Sequence, residues 1–113
     1  MTEFIYLYRG GKMAESPAEG QKQMQQWMAW MKDLGEKGHL KAVGSPLEKT
    51  GKLVSGPNKT ISDGPFAEAK DLIGGYSLVN AKDIDEATEL SKGCPIFAYG
   101  GAVEVRPILQ MNM

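Results

Sequence analysis

Two carboxylates flank a tight turn in "DGPFAEAKDLIGGYSLV", Asp63 at its start and Glu68 shortly after. A pair of acids at the mouth of a cleft can divide proton transfer between them. One serves as general base and the other as general acid or ligand anchor, provided burial separates their pKa values. The same residues also satisfy plain turn chemistry. Asp63 can accept the backbone amides that follow it, closing an Asx-turn or capping a short helix begun by Pro65, and Glu68 suits the first turn of that helix by charge. Both readings stand on the sequence.

Arg106 and Arg9 are the candidates for holding an anion. Alternation in "GGAVEVRPI" sets Val103 and Val105 on one face and Ala102, Glu104 and Arg106 on the other. Arg106 can grip a carboxylate or phosphate through two parallel hydrogen bonds, with Arg9 at the end of the first strand assisting. The alternative is a Glu104–Arg106 ion pair that fixes the register of a dimer. Trp30 lies off the centre of the apolar stripe of the first helix and can line a pocket rim. His39 suits the C-terminal end of that helix, where positive charge is favoured, and a general-base role would need a carboxylate partner the sequence does not identify. Cys94, between Gly93 and Pro95, reads as a small buried apolar residue rather than a nucleophile.

Composition excludes several other chemistries. The 113 residues suggest a single domain, 1–113, with formal net charge −1 and no Lys/Arg cluster interleaved with aromatics to bind nucleic acid. One cysteine and one histidine make neither an internal disulfide nor a Cys/His metal constellation, and nothing in the chain calls for a cofactor. No apolar run reaches the length of a bilayer span, and "MTEFIYLYRG" lacks the pattern of a signal peptide. The expectation is a cytoplasmic protein without a nucleic-acid or membrane partner.

The elements that must position these residues follow from periodicity. "EFIYLYR", residues 3–9, predicts a strand with Phe4, Tyr6 and Tyr8 on one face and Ile5, Leu7 and Arg9 on the other. "SPAE" opens a helix through a capping box, and Met24, Trp27, Met28, Met31 and Leu34 form its stripe, with an end near Gly35 or Gly38. "HLKAVG" predicts a second strand, and "KLVS" and "KTIS" around "GPN" a small hairpin. "DLIGGYSLV" predicts a long central strand whose Gly74 and Gly75 mark a bulge or a close backbone approach. Asp83 and Glu86 start a second helix with Ile84, Ala87, Leu90 and Ser91 inward; Gly93 ends it, and Pro95 prevents it restarting. The order is β-α-β, a hairpin insertion, then β-α-β. This is an α+β, ferredoxin-like split βαβ with an antiparallel sheet and both helices on one face. The bare face carries large apolar residues, so a twofold homodimer with open faces together is expected.

These same segments carry a resemblance. "DGPFAEAKDLIGGYSLV", "DIDEATELSKGCP" and "GGAVEVRPI", with the opening "YLYRG" and the spacing from Trp27 to Leu47, closely resemble the DGPF subgroup of the YCII-related proteins over nearly the whole chain. The resemblance implies a ferredoxin-like fold that pairs into a dimeric α+β barrel, and a pocket from which enzymatic activity has been suspected. Relatives found with extracytoplasmic-function sigma factors imply a regulatory alternative. The broader group looks to have a His–Asp pair at its proposed site. Here the histidine stands at a helix-to-strand junction, so that mechanism does not transfer. Two functions follow as expectations. One is a small-molecule-binding protein, with acid/base chemistry by Asp63 and Glu68 and ligand contacts from Arg106, Arg9, Trp30 and His39 at the dimer mouth. The other is a non-catalytic module acting on a protein partner.

Overall fold

A computed structural model describes residues 1–63 and 72–111. The chain order is β1 (Thr2–Gly10), α1 (Pro17–Glu36), β2 (Leu40–Ala42), β3 (Lys52–Ser55), β4 (Thr60–Asp63), β5 (Ile73–Ala81), α2 (Ile84–Ser91), a 3₁₀ turn (Pro95–Tyr99) and β6 (Gly101–Pro107). Four strands form one sheet in the order β2-β5-β1-β6, and its pairings are all antiparallel. This is the split βαβ order of a ferredoxin-like α+β fold. β3 and β4 form a separate two-stranded sheet.

Both helices begin as their sequences dictate. Ser16 Oγ accepts from the Glu19 amide at 3.2 Å, and Asp83 Oδ1 accepts from the Glu86 amide at 2.9 Å. The glutamates return the contact one residue further out than in a strict capping box: Glu19 accepts from the Glu15 amide and Glu86 from the Lys82 amide. α1 ends in a Schellman motif. Gly38 takes φ +79°, its amide donates to Gly35 O, and the His39 amide donates to Leu34 O at 2.8 Å.

The core lies between the helices and one sheet face. Phe4, Tyr6 and Tyr8 of β1 face Val79, Ser77 and Gly75 of β5 in register, and Val105 and Val103 of β6 flank them. The apolar stripe of α1 differs from the expected one. Trp30 and Leu34 are buried with Trp27 and Met31 packed beside them, whereas Met24 and Met28 are exposed. The helix is turned so that Trp30 lies over the sheet, its ring 6.0 Å from that of Tyr6 and its Nε1–H donating to Leu90 O at 3.3 Å. The wide aromatic buries more apolar surface than either methionine, and the carbonyl satisfies its one polar atom.

Two further expectations are corrected. Ile84 is exposed, because it occupies the first position of α2, ahead of the turn that packs through Ala87 and Ser91. Pro95 does not stop helical structure; it opens the 3₁₀ turn, where its missing amide costs nothing and its fixed φ fits. The expected bulge at the paired glycines is present. The β1–β5 register shifts between Tyr8 and Arg9, so that Tyr8 faces Gly75 and Arg9 faces Ile73. The same site also admits a close approach. Gly74 O accepts from the Leu47 amide at 2.8 Å, and a Cβ on Gly75 would stand 3.0 Å from Ser45 O.

Candidate functional site

Among the described residues, no helix or strand covers the face of the sheet away from the helices. Cross-strand register places Ile5 opposite Leu78 and Arg106, Leu7 opposite Tyr76 and Glu104, and Arg9 opposite Ile73 and Ala102. Residues that share a register position share a face. The middle of this face is therefore an apolar strip of Ile5, Leu7, Tyr76 and Leu78, all only half-buried. Beside the strip, towards the edge strand β6, the charges gather.

Glu104 joins the two arginines. Its Oε1 accepts from Arg9 Nη1 at 2.6 Å, and its Oε2 lies 3.8 Å from Arg106 Nε. The carboxylate thus stands between two guanidiniums. Arg9 is the better covered of the two, while the Arg106 side chain is 66 % exposed. Among the described residues the Arg106 side chain makes no hydrogen bond, so its planar fork can donate to a bidentate anion without first breaking one. An open depression adjoins the Arg9 end of the strip, lined in part by Pro46, Leu47, Leu53, Leu72 and Ile73.

The remaining candidate residues lie elsewhere in the chain. Asp63 ends β4 on the separate hairpin, largely exposed and ion-paired with Lys52. Trp30 is in the core on the opposite side of the sheet, and its outer edge borders a shallow depression with Gln26, Ala29 and Gly93. His39 sits at the far end of the sheet, its Nδ1 2.9 Å from Asn80 O. A carbonyl can only accept, so Nδ1 carries the hydrogen. Asn80 is in register with Glu3, and Arg9 lies six residue steps along β1 from Glu3, a distance of about 20 Å. Glu68 lies outside the described residues. One chain thus unites Arg9 and Arg106 but not Asp63, Trp30 or His39. Among the described residues no group of three His, Cys, Asp or Glu could hold a metal ion, and no helix is long and apolar enough to cross a membrane.

The YCII-related domain matches residues 3–112. The chain belongs to the YCII-related family. No curated protein matches it significantly. Among solved structures, it is similar to 5-chloro-2-hydroxyhydroquinone dehydrochlorinase (TftG) from Burkholderia phenoliruptrix AC1100, in complex with 2,5-dihydroxybenzoquinone. The identity is 19 %, over 96 % of this chain and 95 % of that one, with a TM-score of 0.49.

In this YCII-related chain the histidine ring bonds a backbone carbonyl rather than a carboxylate. The polar groups buried on the helix side are structural. Tyr8 OH donates to Ser77 Oγ at 2.8 Å, and Ser77 Oγ donates to Val43 O at 2.6 Å. This relay ties β1 and β5 to the chain just after β2. The sequence did signal it, since a tyrosine on the core-facing side of a strand must find a partner for its hydroxyl. Burial pushes the Cys94 thiol up to about 12 and the Tyr6 hydroxyl to about 12, and raises Tyr8 as well. A thiol so raised is protonated at neutral pH and is not a nucleophile.

Proposed function

We propose that this YCII-related protein, which we place in the DGPF subgroup, binds a small anionic molecule at Arg9–Glu104–Arg106 and works as a cytoplasmic homodimer closed over its open sheet face. The observation that carries this reading is the arrangement of that cluster. The exposed Arg106 guanidinium stands directly beside a half-buried apolar strip. Such a juxtaposition suits a ligand with a carboxylate or phosphate at one end and an apolar or aromatic body at the other. Closing a second copy over Ile5, Leu7, Tyr76 and Leu78 would remove the apolar patch from water and leave the cluster, on the edge strand, at the mouth. Acid/base chemistry at this mouth would draw on the carboxylates of Asp63 and Glu68.

The second reading, a non-catalytic regulatory module, has the hairpin in its favour: Leu53, Val54 and Ile61 are exposed there. A thermal-shift screen against small carboxylates, phosphates and aromatic acids separates the two. The ligand reading expects some of these anions to raise the unfolding midpoint of the wild type and not of Arg106→Ala. A panel that shifts neither protein, or both equally, contradicts it.

A further inference from the structure

Register fixes what surrounds the Arg106 guanidinium. Ile5 is opposite it, and Leu78 comes next in the same row. Glu104 lies two residues before it on the same face, and Leu7, opposite Glu104, is its diagonal neighbour. Pro107 follows and has no amide to donate, and the Ile108 amide is already given to Glu3 O. Glu3, the other diagonal neighbour, is ion-paired with Lys41. Among the described residues, the side chains that register places around Arg106 are therefore apolar or acidic. Glu104 also separates the two arginines. Its Oε1 is 2.6 Å from Arg9 Nη1 and its Oε2 3.8 Å from Arg106 Nε.

Such surroundings fit one kind of anion. A carboxylate has two oxygens, and the fork of a single guanidinium donates to both. With Glu104 on the Nε side, the two terminal nitrogens are left for the ligand. A phosphate monoester brings three terminal oxygens and close to two charges at neutral pH. Its third oxygen would meet Ile5 or Glu104 and no donor, and a polar atom desolvated without a partner weakens binding. The row that starts at Arg106 then sets the ligand's body. Ile5 and Leu78 are half-buried and stand one and two strand spacings from Arg106, ~5 and ~10 Å. Beyond them is β2, an edge strand of 3 residues. An extended alkyl chain advances ~1.3 Å per carbon, so this track has room for about eight carbons.

We propose that the site selects monocarboxylates over phosphates: Arg106 grips the carboxylate, Ile5 and Leu78 carry a slim apolar body, and Glu104 is the specificity residue that turns away a second negative charge. This rests on the anion-binding reading above and names its ligand class. Arg9, through its hydrogen bond to Glu104, holds the selecting carboxylate in place. Selection of this kind works by leaving the wrong ligand with an unpaired oxygen and a like charge, not by adding contacts to the right one.

Titration calorimetry on the full chain at pH 8 and fixed ionic strength tests this with acetate, butyrate, hexanoate and hexyl phosphate. Wild type, Arg106→Ala and Glu104→Gln are compared; both side chains are partly exposed, so the variants should fold. In the wild type, hexanoate is expected to bind at least tenfold more tightly than hexyl phosphate. Each added pair of methylenes from acetate to hexanoate should strengthen binding about fivefold, as their apolar surface leaves water. Arg106→Ala should lose hexanoate at least tenfold. Glu104→Gln removes the charge and supplies a donor, so it should bring hexyl phosphate to within about threefold of hexanoate. Hexyl phosphate binding the wild type as tightly as hexanoate, or a preference unchanged in Glu104→Gln, overturns the selectivity and leaves the anion reading intact. Equal affinities from acetate to hexanoate overturn the Ile5–Leu78 track. Binding of no probe, or undiminished binding by Arg106→Ala, overturns the anion reading as well.

Discussion

Arg9 of β1 and Glu104 of β6 meet at 2.6 Å across the sheet although they are not opposite one another: Arg9 is in register with Ala102, and Glu104 with Leu7. The diagonal pair turns the Glu104 carboxylate towards Arg9 and leaves its second oxygen loosely beside Arg106, at 3.8 Å. The two arginines are therefore held unequally, Arg9 closely and Arg106 only loosely.

Arg106→Ala should leave the fold and the dimer intact and abolish anion-induced stabilisation. Glu104→Gln should do the reverse, strengthening the response to small anions, because it removes the competing negative charge. Its cost in stability should be under about 1 kcal/mol, since the pair is partly exposed. Unfolding midpoints with and without the anion found in the screen measure both effects. Normal anion binding by Arg106→Ala would remove the residue from the site.

Asp63→Asn and Asp63→Ala should both fold within about 1 kcal/mol of the wild type, because the Lys52–Asp63 pair lies on an exposed hairpin and such pairs contribute little. A loss well beyond this in the alanine variant alone would restore Asp63 as a cap. With a ligand in hand, an unchanged response and activity in the asparagine variant would exclude a catalytic carboxylate at this position.

Ser77→Ala should cost roughly 1–3 kcal/mol, because it strands the buried Tyr8 hydroxyl and removes the donor to Val43 O. Denaturant unfolding measures it. The double variant Tyr8→Phe/Ser77→Ala should lose less than the sum of the two single variants, since the two groups share one hydrogen bond.

Gly44→Ala should be far more damaging than Gly38→Ala. Both glycines have positive φ, +76° and +79°. A Cβ on Gly44 would overlap the Tyr76 carbonyl oxygen, whereas nothing lies within 4 Å of one on Gly38. The second substitution should cost about 1–2 kcal/mol of left-handed strain and the first clearly more. Equal midpoints would contradict the close packing of the chain after β2 against β5.

Stability should fall as pH rises above about 9. Cys94 and Tyr6 ionise at 9.0 and 10.0 when unconstrained but at about 12 in the fold, because burial disfavours the charged forms. The unfolded chain therefore loses these protons first, and the stabilisation, complete below about pH 9, declines as pH rises towards 12. Denaturant midpoints across this range, with a thiol reagent that should modify Cys94 only as the chain opens, check the direction.

Much of this fold was legible because its local signals agree. Ser16 and Asp83 announced both helix starts, the alternation of Phe4, Tyr6 and Tyr8 announced the buried face of β1, and Gly74–Gly75 announced the bulge. What failed depended on long-range packing. Helical spacing places Met24 and Met28 on the stripe of α1, but the aromatic surface of Tyr6 and Tyr8 selects Trp30 instead. Helical spacing alone cannot rank residues on adjoining faces. For the site, alternation along β6 put Glu104 and Arg106 on one face, but only the β1–β6 register reveals that Glu104 reaches Arg9. The exposure of Asp63 was likewise invisible, because the turn signal says nothing about where the hairpin lies.

The central claim is that a second copy closes over Ile5, Leu7, Tyr76 and Leu78. Light scattering on the wild type and on Leu7→Asp tests it most directly, with circular dichroism confirming that the variant is folded. The account predicts twice the mass of one chain for the wild type and the mass of a single folded chain for Leu7→Asp. A wild-type monomer at micromolar concentration, or a variant that remains dimeric, would contradict it.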